Sequence, residues 1–403
     1  MADSGKIRVG IVGLSPQRGF ASIAHIPALH ALSDFEIAAV CTTRQESADA
    51  AARAFSNAED LARHPGVDLV TVTVKVPDHY RPVMAAIDAG KHVYCEWPLG
   101  RNTAEAQQML DAAERKGVRH AVGLQGQWSP TVDYVRDLVT DGYVGKVLTA
   151  TLIGCAPSWA ATLDRAYQAD FANGANLMTI TGGHQIDALC HCLGEFRELS
   201  AFAVSQRDRI VTDDQGEVAL TSPDQLAVSG ILHSGAVVSF QIRGGMTRGT
   251  EFLFEIHGTE GDLVLASTTG GSMQRQELSL HGAQGKGTKL AELPIPAKYR
   301  YVPENTPANS PYNVAQLYAR LANSIRNGTP ASPGFDAAVK RHRLIDAIGA
   351  RLHQRPETAA RLRTDSPRSA RIGPARILAQ VFGDADGRCQ FGGSGHRRLG
   401  AAF

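Results

Sequence analysis

The chain has 403 residues, with 41 lysines and arginines against 40 aspartates and glutamates, and 43% of its residues are hydrophobic. This length accommodates two packed domains, and the balanced charge argues against a surface that holds nucleic acid or an anionic membrane. No apolar run approaches the roughly 18 residues that cross a bilayer, and the first residues lack a signal-peptide pattern. We therefore expect a cytoplasmic protein with neither nucleic-acid nor membrane partners. The six cysteines have no repeating spacing, so we expect reduced thiols.

The first part of the chain alternates short β-branched runs with amphipathic, alanine-rich stretches. Such alternation predicts βαβ units and a parallel sheet, and the near-continuous apolar character of the runs fits strands that are covered on both faces. The predicted strands are Ile7–Val12, Phe35–Val40, Leu69–Val74, His92–Cys95 and Arg119–Val122.

From about Gly145 the pattern changes to β-branched and aromatic runs separated by turn residues, which predicts an antiparallel sheet. One segment inside this region, Asn176 to Leu193, has helical character, and a last helical stretch from about Pro311 to Leu352 has the apolar spacing of a helix laid on the body of the protein. The predicted strands are Val147–Ile153, Leu226–Leu232, Ala236–Ile242, Phe252–Ile256 and Asp262–Leu265.

The tail after Arg355 has eight arginines, no lysine and four acidic residues, and it ends in a glycine-rich stretch. This composition predicts a loosely held segment or an arm that reaches a neighbouring subunit.

A glycine-rich segment follows the first predicted strand and opens a helix. At such a place a dinucleotide pyrophosphate meets free backbone N–H groups and the positive end of the helix. Ser15 stands at the second glycine of the G-x-G-x-x-G pattern, and extra residues lengthen the loop, so a glycine-rich turn without a ligand stays an alternative. The residues that we expect to hold the cofactor here are Gly13, Ser15, Gln17, Arg18 and Gly19.

The end of the second predicted strand indicates which nicotinamide cofactor is preferred. Thr42, Thr43 and Arg44 stand where NAD-binding proteins place an acidic residue on the adenosine ribose. Hydroxyls and a guanidinium accommodate a 2′-phosphate better than a carboxylate does, which favours NADP(H), with NAD(H) possible. The alternative is that Arg44 is a solvated residue at a helix start.

The segment Gly90 to Leu99, GKHVYCEWPL, strongly resembles the signature strand of the Gfo/Idh/MocA oxidoreductase family, whose members typically have GKHVxxEKP. The resemblance covers about residues 6 to 355 and includes Gly145-Lys146-Val147 and the helical His184-x-Ile186-Asp187. The loop from Gly13 to Gly19, the pair Glu96-Trp97 and Leu124-Gln125-Gly126 are similar to a subgroup that contains the yeast galactose-regulon repressor. That repressor binds a nicotinamide dinucleotide and is not known as a catalyst.

The resemblance implies an α/β protein with a Rossmann domain at residues 1–125, completed by part of the C-terminal helix, and an α+β domain at residues 126–355 with a large, open, mainly antiparallel sheet. Residues 356–403 would form the loose tail. Family members are dimers or tetramers built through the sheet. They transfer a hydride at C–OH groups of sugars, cyclitols and related polyhydroxylated compounds.

Two positions depart from the catalytic pattern of the family. Trp97 replaces the lysine of EKP and cannot exchange a proton, and Ile180 replaces an aspartate four residues before the helix histidine. His184 remains as the candidate general acid/base, with a pKa expected near working pH, and Asp187 lies near the same helical face. The alternative is a hydrogen-bonded histidine that only shapes the pocket.

Other polar residues lie at the ends of predicted strands. Lys75 follows the third strand beside the crevice expected to hold the nicotinamide, where a cation would replace the lost lysine or contact a cofactor phosphate; a solvated lysine is the alternative. We also expect His79, Glu96, Trp97 and Gln125 to contact the cofactor. A metal site is not expected, because helix geometry turns Cys190 and Cys192 about 200° apart.

The sequence thus supports two functions. The first is an NAD(P)-dependent oxidoreductase that acts on a sugar-like or cyclitol-like alcohol or carbonyl, with His184, Lys75 and Asp187 at the reacting centre. The second is a non-catalytic, dinucleotide-binding regulatory protein like the galactose-regulon repressor. Loss of the family lysine and aspartate favours the second, and retention of His184 and Asp187 favours the first.

Overall fold

The computed structural model of the chain describes residues 5–15, 19–42, 53–157, 159, 165–212, 216–245, 248–267, 270–275 and 277–350. Met1–Arg355 form one compact unit, to which the description below applies. The arginine-rich tail predicted after Arg355 lies outside the described residues.

The first half of this unit is built on a parallel sheet of six strands in the order β3-β2-β1-β4-β5-β6, which confirms the parallel sheet predicted from the sequence. The central strands are apolar and buried because helices cover both faces. The strands are β1 Ile7–Val12, β2 Phe35–Cys41, β3 Ala54–Phe55, β4 Leu69–Val72, β5 His92–Cys95 and β6 His120–Val122.

The helices between these strands begin and end as local sequence dictates. The side chains of Asn57 and Asn102 accept hydrogen bonds from the first turns of α2 and α4, and Gly117 ends α4 with φ at 65°. The helices are α1 Ile26–Ala31, entered through a π-helical turn at Ala21–His25, α2 Ala58–Arg63, α3 Tyr80–Asp88 and α4 Thr103–Lys116.

The second half is built on a mixed sheet of eight strands in the order β16-β15-β14-β13-β7-β12-β11-β8. Neighbours are antiparallel except β7 and β12, which run parallel. The strands are β7 Val147–Ala156, β8 Phe196–Val204, β11 Gln225–Leu232, β12 Val237–Gly244, β13 Phe252–Gly258, β14 Gly261–Ser267, β15 Ser279–Gln284 and β16 Ala291–Glu292. This confirms the mainly antiparallel sheet expected from the sequence.

Several strands escaped the sequence analysis. Phe196–Val204 carries charged and small residues and has only two fully buried positions, so no apolar run marks it. The pair β9 Arg209–Thr212 and β10 Gly216–Ala219 forms a separate two-stranded ribbon of four residues a strand, and β15 and β16 lie at the edge of the large sheet. β8 and β16 have few buried positions, so their sequences lack the apolar run that marks a buried strand.

Four further helices lie in the described part of the second half. The predicted helix from Asn176 to Leu193 is a π-helical turn at Met178–Gly182 followed by α6, Gly183–Leu193. The single helix predicted after Pro311 is two helices, because Gly328, with φ at 67°, ends the first of them. The helices are α5 Pro130–Thr140, α6 Gly183–Leu193, α7 Ser310–Asn327 and α8 Phe335–Gly349.

The two sheets are joined through shared packing. One apolar core lies between the parallel sheet and helices α1 and α7, where Val9, Ile11, Leu317, Tyr318 and Leu321 are buried together. A larger core includes the other face of that sheet and the inner face of the eight-stranded sheet. Helix α8 packs against α4, so both C-terminal helices lie on the N-terminal half.

The described residues contain no helix that is long and apolar enough to cross a membrane. They contain five cysteines, all free and buried. No group of histidines, cysteines and carboxylates suited to a metal ion occurs among them.

Candidate functional site

The candidate residues of the N-terminal half follow four neighbouring strands of the parallel sheet. Gly13 follows β1, Lys75 follows β4, Glu96 follows β5 and Gln125 follows β6. Carboxyl ends of parallel strands share one edge of the sheet, so these residues line a common rim. Because β1 has β2 on one side and β4 on the other, the strand order reverses at β1, where open α/β sheets bind their ligands.

The turn after β1 depends on glycine. Gly13 has a φ of 100°, and a β-carbon there would lie 2.7 Å from the Val74 backbone nitrogen, closer than real atoms approach. Gly19 has a φ of 90°, and a β-carbon at that position would meet none of the described residues within 4 Å. A tight turn followed by open space beside the backbone at a helix start fits a dinucleotide pyrophosphate. Ser15 lies in this turn, whereas Gln17 and Arg18 lie outside the described residues.

Only part of the predicted ribose-binding segment belongs to the described residues. The Thr42 backbone N–H donates to the Phe55 carbonyl oxygen over 3.1 Å, which ties the end of β2 to β3. Thr43 and Arg44 lie outside the described residues, so the preference for NADP(H) stays a prediction from the sequence.

Lys75 and His79 follow β4 and differ in their surroundings. Lys75 is exposed, and its Nζ lies 5.1 Å from the centroid of the Tyr167 ring, within the range of a cation–π contact. His79 is buried, and its Nδ1 and Nε2 each lie 2.9 Å from a carbonyl oxygen, those of Pro98 and Val74. His79 therefore links the segments after β4 and β5, and its ring nitrogens are occupied by these contacts.

Glu96 is tied into a buried polar network. Its Oε1 lies 3.0 Å from Nε2 of His25, and Nδ1 of His25 lies 2.9 Å from the Tyr318 hydroxyl, which also contacts the Thr71 hydroxyl at 2.9 Å. Gly123 gives the carboxylate its space, because a β-carbon there would lie 2.6 Å from Glu96 Oε1. The network fixes Glu96 at the rim and links β5 to α7.

Trp97, which replaces the family lysine, is a packing residue. It is only 4% exposed, and its indole N–H donates to the Thr179 carbonyl oxygen over 2.8 Å. A β-carbon on Gly183 would lie 2.5 Å from Trp97 Nε1, and the indole ring lies 4.8 Å from the His342 ring. Trp97 thus joins the end of β5 to the start of α6, and its one hydrogen-bond donor is already used.

His184 lies beside this junction, one residue after the glycine against which the indole packs. It is 6% exposed, and its Nδ1 is buried with no hydrogen-bond partner among the described residues. Burial lowers the pKa of His184 to about 3, and the Arg275 guanidinium lowers it further. This differs from the pKa near working pH expected from the sequence, because an ordinary histidine pKa assumes contact with water. The imidazole is neutral at pH 7.

Asp187 is held by an ion pair. Its Oδ2 accepts a hydrogen bond from Gln127 over 2.8 Å, and its Oδ1 lies 3.2 Å from Arg341 Nε. Arg341 also donates to both oxygens of Glu195, over 3.1 and 2.7 Å. Burial raises the pKa of Asp187 to about 6, against the opposing effects of Arg341 and Gln127. Asp187 therefore connects α6 to α8 with both carboxylate oxygens engaged.

Gln125 and Trp159 have buried polar atoms that the described residues leave without a partner. Gln125 is 1% exposed, and its Oε1 has no hydrogen-bond partner among the described residues. Nε1 of the buried Trp159 also has none among them. Unpaired buried polar atoms are rare in folded proteins and are costly unless a ligand or water satisfies them. An acceptor and a donor of this kind suit a ligand with hydroxyl groups.

Sequence reasoning missed Arg275 and Arg341. Arg275 lies in an irregular segment between β14 and β15, and Arg341 lies in the middle of α8. No spacing or motif marks either residue, because each acts on α6 only through the tertiary fold.

Comparison with known proteins gives two family matches. Residues 7–124 match the oxidoreductase family with an NAD-binding Rossmann fold, and residues 130–267 match the C-terminal domain of Gal80p.

Curated relatives include both enzymes and regulators. The chain is 32% identical to the dehydrogenase aclE of Aspergillus oryzae, over 86% of this chain and 96% of the relative. It is 29% identical to the galactose/lactose metabolism regulatory protein GAL80 of Saccharomyces cerevisiae, over 72% of each chain. It is 24% identical to the NADP(+)-dependent scyllo-inositol 2-dehydrogenase IolW of Bacillus subtilis, over 85% of this chain and 92% of the relative.

Solved structures show the same fold. A super-repressor mutant of Gal80p from Saccharomyces cerevisiae has a TM-score of 0.76 and 25% identity, over 86% of this chain and 97% of that chain. Levoglucosan dehydrogenase in complex with NADH and levoglucosan has a TM-score of 0.74 and 21% identity, with the same coverage. With its two matched domains and its aclE relative, the chain belongs to the Gfo/Idh/MocA oxidoreductase family and has a C-terminal domain of the Gal80p type.

Proposed function

We propose that the protein is an NAD(P)-dependent oxidoreductase that transfers a hydride between a nicotinamide cofactor and a sugar-like or cyclitol-like alcohol or carbonyl. The observation that carries the proposal is the buried His184, whose Nδ1 has no partner among the described residues, next to the rim of the parallel sheet. The names of the scyllo-inositol and levoglucosan dehydrogenases support a polyhydroxylated small molecule as the substrate class.

The chain's own residues would hold the cofactor along the rim. Backbone N–H groups from Gly13 to Gly19 would contact the pyrophosphate, and Thr42, Thr43 and Arg44 would contact a 2′-phosphate, which favours NADP(H) over NAD(H). When bound, the nicotinamide supplies or accepts the hydride. The relatives support either cofactor, since IolW is named for NADP(+) and levoglucosan dehydrogenase was solved with NADH.

His184 would take the hydroxyl proton of the substrate. A neutral imidazole with a free nitrogen accepts a proton or a hydrogen bond from an alcohol, and exclusion of water strengthens that contact. Lys75, which is exposed beside the rim, would stabilise the negative charge that develops on the substrate oxygen. Asp187 would position His184 by holding α6 through Arg341.

The test is turnover of purified protein with NADP(+) and NAD(+) over a panel of sugars and cyclitols, followed by cofactor absorbance. We expect measurable oxidation of at least one polyol, and a higher kcat/KM with NADP(+). Cofactor binding without turnover of any compound would contradict the enzymatic proposal.

A second function has its own supporting observation. Trp97 occupies the position of the family lysine and is buried in packing, so the chain lacks one group on which catalytic relatives depend. A dinucleotide-binding regulator, like the GAL80 proteins among its relatives, needs the cofactor site and no acid/base chemistry. Pull-down of a protein partner that is gained or lost on adding NADP(+), from protein without turnover, would favour this function.

We further propose a homodimer or homotetramer assembled through the open face of the eight-stranded sheet. Residues of this sheet that point away from the core are exposed, among them Val237 on β12, which is 51% exposed, and Phe202 on the edge strand β8, which is 60% exposed. A sheet face with apolar residues this exposed is typical of a surface that another subunit covers. Light scattering of the wild type and of Ser239→Arg, a change at the centre of that face, measures the assembly; a wild-type monomer at micromolar concentration would contradict it.

A further inference from the structure

The substrate side of the rim has a positive charge that no described acidic group balances. Arg275 lies in the segment that follows β14, and this segment is fixed against α6 and β7. The Gly271 carbonyl oxygen accepts hydrogen bonds from the Gln185 side chain over 2.5 Å and from the Cys155 backbone over 3.2 Å. Gln185 is the residue after His184, so the segment that carries Arg275 covers the start of α6.

The same segment also reaches the end of β6. A β-carbon on Gly126 would lie 3.3 Å from the Gln274 β-carbon, and the Gln274 carbonyl oxygen accepts a hydrogen bond from Asn313 over 3.1 Å. The residue before Arg275 therefore lies beside Gly126, the neighbour of Gln125, and the guanidinium of Arg275 acts on His184. His184 and Gln125 each have a buried polar atom without a partner among the described residues.

No ion pair involves Arg275 within the described parts of the chain. The carboxylates near the rim are engaged elsewhere, since Asp187 pairs with Arg341 and Glu96 contacts His25. The acidic residue nearest to it in the chain, Glu277, is exposed. Burial lowers the pKa of Arg275, and the Arg165 guanidinium lowers it further. A half-buried arginine without an ion-pair partner is costly unless an anion is present.

Lys75 adds positive charge on the same side. Its Nζ lies over the ring of Tyr167, and Tyr167 follows Arg165 by two residues. Segment 165–167 therefore lies near Lys75 through Tyr167 and near Arg275 through Arg165. Arginine binds carboxylate and phosphate oxygens with two parallel hydrogen bonds, which neutral hydroxyls do not reproduce.

We propose that Arg275 binds a carboxylate or phosphate group on the substrate, so that the protein prefers an acidic polyhydroxylated compound, such as a sugar acid or a sugar phosphate, over its neutral parent. The inference rests on the proposed function for turnover, but the binding preference stands without it. An anion beside Arg275 also offsets the repulsion that this arginine exerts on the His184 imidazolium. The substrate thereby makes His184 a stronger base at the moment when it is needed.

The experiment compares matched ligands on the cofactor-loaded protein by calorimetric titration and by steady-state turnover. The probes are D-glucose, D-glucuronate and D-glucose 6-phosphate, which share a ring and differ in charge. We expect at least one acidic probe to bind more tightly than glucose, by about tenfold to hundredfold, the range of a charge-assisted pair in a protected site. Glucuronate alone indicates a carboxylate, and glucose 6-phosphate alone indicates a phosphate.

Two variants test the residue. Arg275→Ala should weaken binding of the acidic probe more than binding of glucose and so lose the preference, and Arg275→Lys should restore part of the preference. The matched control is Arg209→Ala, an exposed arginine of the β9–β10 ribbon that pairs with Glu217. If Arg275→Ala weakens NADP(+) instead, the arginine serves the cofactor and the proposal is wrong.

The outcomes separate this inference from the proposed function. Preferred binding of an acidic probe without turnover supports the anion site and contradicts the oxidoreductase. Turnover of neutral probes with no acidic preference supports the oxidoreductase and overturns the anion site. Equal binding of all three probes, or an unchanged preference in Arg275→Ala, also overturns it.

Discussion

The two sides of the cleft are built from different parts of the polypeptide. On the cofactor side the backbone forms the site, through Gly13 and Gly19 with φ at 100° and 90°. On the proposed substrate side the groups are side chains from distant segments, such as His184 on α6 and Arg275 after β14. A site formed by backbone N–H groups keeps its chemistry when most of the neighbouring side chains change. A site formed by side chains changes its chemistry when one of them is substituted. In this chain the glycine turn after β1 is present, whereas Trp97 stands at the family's lysine position, as this difference between backbone and side-chain sites predicts.

The strongest test of the comparison is removal of the one acid/base candidate. His184→Ala should lower kcat by about 10²–10⁴-fold, because a positioned proton acceptor contributes that much to the rate. Affinity for NADP(+), measured by fluorescence titration, should stay within about twofold, since the cofactor side is formed by backbone.

The matched control for this variant is His30→Ala, an exposed histidine at the end of α1. Wild-type turnover in His184→Ala would assign the chemistry to another residue. Weakened cofactor binding would show that the two sides of the cleft are not separate.

The next largest effect concerns the altered lysine position. Trp97→Lys should lower the free energy of unfolding by about 3–5 kcal/mol, as for other large buried side chains, and should not raise kcat above that of the wild type. The lysine would lie in the space now filled by the indole, beneath Gly183 and His342, where its charge has no described partner. Urea unfolding measures the loss.

Trp97→Phe is the comparison variant, because it keeps an aromatic ring without adding a charge, while it removes part of the indole and the hydrogen bond to Thr179; it should therefore cost less than Trp97→Lys. A stable and more active Trp97→Lys would contradict this expectation and show that the site accommodates the lysine typical of the family.

The sequence predicted some features of the fold and of the candidate site, and others depend on tertiary contacts. The β-branched runs and the turn at Gly13 predicted the parallel sheet and its rim, because continuous apolar strands and strand-to-helix glycines are local signals. His184 was found from a resemblance, but the low pKa was not, since it depends on burial and on Arg275. Trp97 was predicted to contact the cofactor. Its packing against Gly183 could not be predicted, because the two residues are brought together only by the tertiary fold.

A smaller effect is expected on the cofactor side, at the ribose. Arg44→Ala should weaken NADP(H) binding by about 1–3 kcal/mol and leave NAD(H) unchanged, if a charge-assisted bond to the 2′-phosphate exists. Parallel fluorescence titrations with both cofactors measure the difference. Equal loss for both cofactors, or an NAD(H) preference in the wild type, would contradict the 2′-phosphate prediction.

The smallest effect is on the pH dependence of stability. Burial lowers the pKa of His184 to about 3 and those of His191 and His342 to about 4. The unfolded chain then binds more protons than the native one below pH 6.5, so stability falls as pH falls from about 6.5 toward 3. Between pH 6.5 and 5.5, the free energy of unfolding of His184→Gln should fall by about 1 kcal/mol less than that of the wild type. Urea titrations at both pH values decide it, and an unchanged slope would indicate a water-exposed ring.

The position of α7 has a consequence for synthesis of the chain. Tyr318 and Leu317 on this helix fill the core that β1 forms with α1, yet they follow β6 by almost two hundred residues. During translation the first domain therefore emerges with one face of its sheet covered by α1 but not yet by α7. At roughly 5–20 residues per second, that face waits about 10–40 s for its missing helix. In the interval this face offers an apolar surface to chaperones. A protein whose N-terminal domain is completed by its own residues offers no such surface.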